Sequence, residues 1–132
     1  MKVFNDMKKT ILVVDDELSI RMLLENFLGD DYEVITKENG AEAMEWLEEG
    51  NTPSMMLVDI DMPKLNGYEL TESIRKNNGI SKVPVIMLSS KQKSADRIKS
   101  YHAGADDYLQ KPFNPEELLI RIQAIFRRMQ AA

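Results

Sequence analysis

Ile11-Leu12-Val13-Val14-Asp15-Asp16 is the stretch on which the fold turns: an unbroken apolar run closed by two carboxylates. A run this short, apolar at every position and rich in β-branched residues reads as a strand buried on both faces, as in parallel sheets covered by helices. The pattern recurs downstream. Met55-Met56-Leu57-Val58 is closed by Asp59, Val85-Ile86-Met87-Leu88 is closed by Ser89, and Lys111 comes just after Tyr108-Leu109. Polar residues therefore collect at the C-terminal ends of apolar runs, the edge of an open α/β sheet where ligand sites form.

The segments between these runs carry helical periodicity. Leu18, Met22, Leu23, Phe27 and Leu28 follow the first strand at helical spacing, and Tyr32–Thr36 reads as a second strand with Asn39-Gly40 closing the turn after it. Ala41–Glu49 is a helix with Ala43, Met44 and Leu47 inward and Gly50 as its stop. Gly67–Lys76, with Leu70 and Ile74 inward, and Ser94–His102, ended by Gly104, are the next two helices. The last helix has Asn114 as N-cap, Pro115 at its first position, Glu116-Glu117 at the positive end of its dipole, and Leu118, Leu119, Ile122, Ile125 and Phe126 as its apolar face. Strands and helices in strict alternation give an α/β, doubly wound sandwich with helices on both faces of a parallel sheet.

The 132 residues suit one domain with a real core, and 43% hydrophobic with 30% charged content is that of a folded protein rather than a disordered tail. A net charge of -5 argues against a generic nucleic-acid surface. The absence of cysteine excludes disulfides and thiolate chemistry, and His102 alone cannot build a histidine metal site. No apolar run approaches the roughly 20 residues that span a bilayer. The charged start from Met1 to Lys9 lacks a signal-peptide core, so a cytoplasmic location is expected.

Three carboxylates, a hydroxyl and an ammonium in one crevice suit a divalent cation and a phosphoryl group. Asp15 and Asp16 side by side repel unless a cation relieves them, and Mg2+ takes such oxygen donors; equally, Asp16 has the position to cap the helix that begins near Leu18. Asp59 is more specific, since a carboxylate can attack phosphorus and form an aspartyl phosphate. The Pro63 to Gly67 segment behind it holds a tight loop, Ser89 offers a hydroxyl to a phosphoryl oxygen, and Lys111 supplies a point charge. Lys111 also precedes Pro112, the bond type at which a cis peptide occurs.

With these residues in place, the chain resembles a bacterial two-component response-regulator receiver domain, a CheY-like module. The resemblance rests on Ile11 to Glu17, on Asp59-Ile60-Asp61-Met62-Pro63 with Gly67, on Met87-Leu88-Ser89-Ser90, and on Gly104 to Phe113, and it covers roughly residues 9 to 129. It implies a flavodoxin-like five-stranded parallel sheet in the order 2-1-3-4-5. The receiver would occupy residues 9–129 behind an arm of residues 1–8. No effector domain follows before Ala132, which fits either a single-domain regulator or a piece of a longer protein.

By the same resemblance Asp59 is the phospho-acceptor, modified by a phosphohistidine-bearing sensor histidine kinase or phosphotransfer protein. Asp16, Asp59 and the Asp61 carbonyl would hold Mg2+, Asp15 acting mostly through water, while Ser89 and Lys111 hold the phosphoryl oxygens. The domain would catalyse only its own phosphorylation and dephosphorylation. Ser89 and Tyr108 would be the switch pair, Tyr108 turning inward behind the hydroxyl, though an edge-strand tyrosine can also simply lie at the surface.

The stretch from Arg97 to Arg128 resembles the OmpR/PhoB branch. There Asp106, Asp107, Arg121, Arg127 and Arg128 would form a homodimer face on the fourth helix, fifth strand and fifth helix, with no direct contact to nucleic acid or membrane. Asp61 and Lys91 would form an ion pair gating the phosphate, or remain two solvated charges. Trp46, amid glutamates, is expected to cover the core edge, and His102 to lie at the surface. A non-phosphorylated docking module and a Mg2+-dependent phosphohydrolase with Asp61 as acid-base are the competing classes.

Overall fold

The computed structural model describes residues 8–90 and 94–131. Five strands alternate with five helices: β1 (Thr10–Val14), α1 (Leu18–Leu28), β2 (Glu33–Lys37), α2 (Gly40–Glu48), β3 (Met55–Asp59), α3 (Gly67–Arg75), β4 (Val85–Ser89), α4 (Ser94–Ala103), β5 (Asp107–Gln110) and α5 (Pro115–Ala131). All strand pairings are parallel, in the order β2-β1-β3-β4-β5. This is the expected doubly wound, flavodoxin-like sandwich.

The three central strands are buried along almost their whole length because each of their faces has a helical layer to fill. Leu12, Val14, Met56, Val58, Val85 and Met87 point to one side and pack with Ala43 and Leu47 of α2, Leu70 and Ile74 of α3 and Ala103 of α4. Their alternates, Ile11, Val13, Met55, Leu57, Ile86 and Leu88, point to the other and meet Leu24 and Leu28 of α1 and Leu118, Ile122, Ile125 and Phe126 of α5. Side chains alternate with period two along a strand, so a continuous apolar run feeds both layers at once.

In α1 the sheet decides which apolar residues are buried. Leu18 and Met22 are 60% and 53% exposed, and Leu23 is exposed as well, while Leu24 and Leu28 are buried with Ile20 and Phe27 packed beside them. The sequence offers two apolar stripes at helical spacing. The stripe Ile20, Leu24, Phe27, Leu28 faces the sheet, because it follows the i, i+4, i+7, i+8 positions of one face. Trp46 does lie half-buried against the α2 side of the core, and His102 is exposed.

Helix starts follow local chemistry. Asn39 is the N-cap of α2 and accepts from the Glu42 amide at 2.8 Å, so Asn39-Gly40 opens a helix instead of closing a turn. Asn66 and Glu69 form a reciprocal capping box at α3. Gly50 and Gly104, at φ 98° and 112°, stop α2 and α4 in the left-handed region. The Lys111–Pro112 peptide is cis.

Candidate functional site

The strand order reverses between β1 and β3, and the crevice at their C-terminal ends is where the polar positions meet. Asp15 follows β1 and is fully buried; Asp59 ends β3 at 3% exposure; Ser89 ends β4, also buried; Lys111 follows β5 at 8%. The register explains the convergence. Asp59 lies opposite Leu88, Ser89 opposite Gln110, and the Lys111 amide donates to the Ser89 carbonyl at 2.6 Å. Backbone pairing thus brings residues far apart in sequence to one sheet edge.

Lys111 is the hub of the site. Its Nζ lies 2.8 Å from Asp15 Oδ2, 2.9 Å from Glu17 Oε1 and 3.4 Å from Asp59 Oδ1. Burial works against the ammonium, but hydrogen bonds to Asp15 and Glu17 and the charges of Asp15 and Asp59 outweigh it, holding the lysine pKa above its ordinary range. The Asp59 pKa is also raised, to about 7, first by burial and next by the charge of Asp15, with Lys111 opposing and the Asp16 carboxyl adding to the rise. Burial likewise raises Asp15, against the pull of Lys111.

Three neighbouring acidic side chains, Asp15, Asp16 and Glu17, bring one oxygen each within 4.8 Å of one another. Asp16 is exposed and does not cap α1. The N-cap is Glu17, without a side-chain cap bond, and its amide is instead held by Asp15 Oδ1 at 2.9 Å. Arg21, one turn into α1, donates to the Asp15 carbonyl at 2.7 Å and fixes the same bend.

The loop after Asp59 is drawn tight. The Asp61 amide points at Asp59 Oδ1 at 3.4 Å, the Gly67 amide donates to the Ile60 carbonyl at 3.0 Å, and Lys64 takes a left-handed φ of 70°. A Cβ at Gly67 would lie 2.6 Å from the Asp59 carbonyl oxygen, so only glycine lets α3 start this close to β3. Asp61 itself is exposed at the mouth of the crevice. Lys91, read as its partner, lies outside the described residues.

Tyr108 is buried, at 8% exposure, among the core residues beneath α3 and α4 and not at the surface. Of the charges read as a dimer face, Asp106 pairs with Arg75 at 3.0 Å and Arg121 with Asp107 and Glu117 at 2.9 and 3.0 Å, all within the chain. Ile98, Tyr101 and Ile120 on the same helices are exposed. Glu17 and Arg75 are the residues that sequence reasoning missed. Both act through tertiary contacts, Glu17 with a lysine 94 positions away, which spacing cannot signal.

A parallel sheet in this order, with carboxylates and a lysine at the β1/β3 edge, defines a CheY-like receiver. The chain belongs to the response regulator receiver domain family, which residues 11–123 match. It is 45% identical over 124 residues to the probable transcriptional regulator ycf27 of Cyanophora paradoxa, covering 93% of this chain and 50% of that protein. Against the alkaline phosphatase synthesis transcriptional regulatory protein PhoP of Bacillus subtilis it is 40% identical, covering 96% and 52%. Among solved structures, the chemotaxis response regulator CheY4 of Vibrio cholerae superposes with a TM-score of 0.84 at 31% identity, over 90% of this chain and 99% of that one. The chain therefore spans about half the length of the curated relatives it matches, and is a receiver domain of two-component signalling, in which the OmpR/PhoB resemblance also holds. Among the described residues, no helix is long and apolar enough to cross a membrane.

Proposed function

We propose that Asp59 accepts a phosphoryl group from a sensor histidine kinase or phosphotransfer protein. The observation that carries this reading is a buried acceptor carboxylate at the end of β3, 3.4 Å from the ammonium of a buried Lys111. An Asp59 oxygen attacks phosphorus, the bond from phosphorus to the donor breaks, and the donor leaves with that electron pair. Lys111 meets the charge on the phosphoryl oxygens, Ser89 donates its hydroxyl to one of them, and the tight Asp59–Gly67 loop holds the nucleophile in line.

The donor set suits a small hard cation, being made only of oxygens, and its Asp59 carboxylate is disfavoured as an anion by burial and by the charge of Asp15. Asp16, Asp59 and the Asp61 carbonyl would hold Mg2+, with Asp15 assisting through water. Bound there, Mg2+ would neutralise charge on the transferring oxygens.

The phosphoryl group adds roughly -1.5 to -2 charges. Ser89 and Tyr108 report that charge to the α4-β5-α5 face, on which Ile98, Tyr101 and Ile120 are exposed and through which two copies would pair. The receiver unit spans residues 9–129, works in the cytoplasm, and does not itself touch nucleic acid; residues 1–7 lie outside the described residues. In a longer regulator of the kind its relatives represent, it would pass the signal to a transcriptional output.

Incubation with acetyl phosphate and Mg2+, followed by intact-mass analysis, tests this. A phosphoryl adduct lost with Mg2+ chelation supports the receiver reading. No adduct favours a docking module, and sustained turnover of added phosphoesters favours a hydrolase.

A further inference from the structure

Three carboxylates lie within 3.4 Å of the Lys111 ammonium, and Glu17 Oε1 accepts a hydrogen bond from it at 2.9 Å, so an arriving phosphoryl group must compete for the cation. A phosphoryl oxygen gains the ammonium more fully when one of these carboxylates gives it up. The three are not equivalent. Asp15 and Asp59 are buried, with side chains 0% and 5% exposed, whereas the Glu17 side chain is 54% exposed. Releasing Asp15 would leave a buried charge without its cation, which is costly; Glu17 can turn into water at little cost.

The geometry of Glu17 suits such a part. Its backbone is pinned at the site, the amide by Asp15 Oδ1 at 2.9 Å and the carbonyl by the Arg21 amide at 3.2 Å. Its carboxylate makes no cap bond to α1, so the helix does not depend on it. The two short contacts of Lys111, to Asp15 and Glu17, also lie on the β1–α1 side, while the acceptor Asp59 holds the longest.

We infer that Glu17 is a positioning residue that holds Lys111 on the α1 side of the crevice and sets how readily the ammonium passes to a phosphoryl group on Asp59. This rests on the proposal that Asp59 is phosphorylated. Glu17 also adds a negative charge where a phosphoryl dianion must enter, so both effects restrain the reaction. Removing the charge releases the lysine and speeds phosphorylation.

The test uses the Glu17→Gln variant, with Glu72→Gln as a control that removes an exposed carboxylate on α3. With acetyl phosphate at saturating Mg2+, Glu17→Gln should phosphorylate about threefold to fivefold faster, the range of a partly exposed ion pair. Glu72→Gln should match wild type. If Glu17 were instead a metal ligand, Glu17→Gln would lose Mg2+ affinity by about tenfold or more in calorimetric titration; a restraint on Lys111 leaves that affinity within about threefold.

A metal-free double-mutant cycle separates this from general charge repulsion. Glu17→Gln should raise the urea midpoint more in a Lys111→Met background than in wild type, because only wild type loses a favourable contact. Equal shifts in both backgrounds, or an unchanged phosphorylation rate in a wild-type-competent assay, overturn the inference alone. Absence of any adduct on wild type overturns the proposed phosphorylation with it.

Discussion

Arg75, at the end of α3, donates to Asp106 Oδ2 at 3.0 Å, and the same oxygen accepts from the Val85 amide at 2.8 Å. The guanidinium reaches three carbonyls as well: Gly104 at 2.9 Å, Ser81 at 3.0 Å and Val83 at 2.6 Å. One side chain thereby ties the loops that lead into β4 and β5, the strands that deliver Ser89 and Lys111. It sits at the end of the sheet opposite the crevice, so it governs the site by holding strands in register.

Arg75→Met should therefore cost roughly 2–4 kcal/mol in urea denaturation, since it strands several acceptors in partly buried positions. Arg75→Lys should restore little, because an ammonium cannot reproduce the planar fork. A loss no larger than that of an ordinary surface substitution would show that the loops hold themselves.

The close approach of α3 to β3 gives a second expectation. Gly67→Ala places a methyl group 2.6 Å from the Asp59 carbonyl oxygen and 2.8 Å from Ile60 Cα. It should destabilise the domain by about 1–3 kcal/mol and slow phosphorylation, because the strand end that carries the acceptor must shift. Gly79→Ala meets nothing nearer than Asn77 Oδ1 at 3.7 Å and should be near neutral, which urea midpoints of the two variants check directly.

The raised pKa of Asp59 fixes a pH dependence. Its folded value of about 7 exceeds the ordinary 3.8, so between those pH values the folded state binds the proton that the unfolded state has lost. This group's effect is thus to lower metal-free stability as pH rises from about 4 to about 7, after which the penalty is constant. Two results should follow in thermal melts. Asp59→Asn stabilises the metal-free domain at pH 8 by roughly 1–4 kcal/mol and much less at pH 5. Mg2+ raises the melting temperature of wild type more at pH 8 than at pH 5, because the cation competes with the proton for the same oxygens.

The parallel strands were legible because each is a continuous apolar run, and the crevice because each run ends on a polar residue. The buried face of α1 is not legible, because Leu18-Met22 and Ile20-Leu24 both run at helical spacing, and only the sheet decides which stripe is buried. Helix ends differ by a residue where caps are hidden in the sequence, as with Asn39, which resembles a turn residue but whose side-chain Oδ1 accepts from the Glu42 amide. Lys111 was legible as a charge at the site. That Glu17 shares it was not, because the contact joins β5 to the start of α1 and depends on the sheet being assembled.

The most direct test of the central proposal locates the phosphoryl group. Protein treated with acetyl phosphate and Mg2+ is reduced with borohydride, which converts an aspartyl phosphate to homoserine, and peptide sequencing reads the converted position. Homoserine at position 59, absent from Asp59→Asn, is the expected result. Homoserine at Asp15, Asp16 or Asp61 instead, or at none of them, would contradict it.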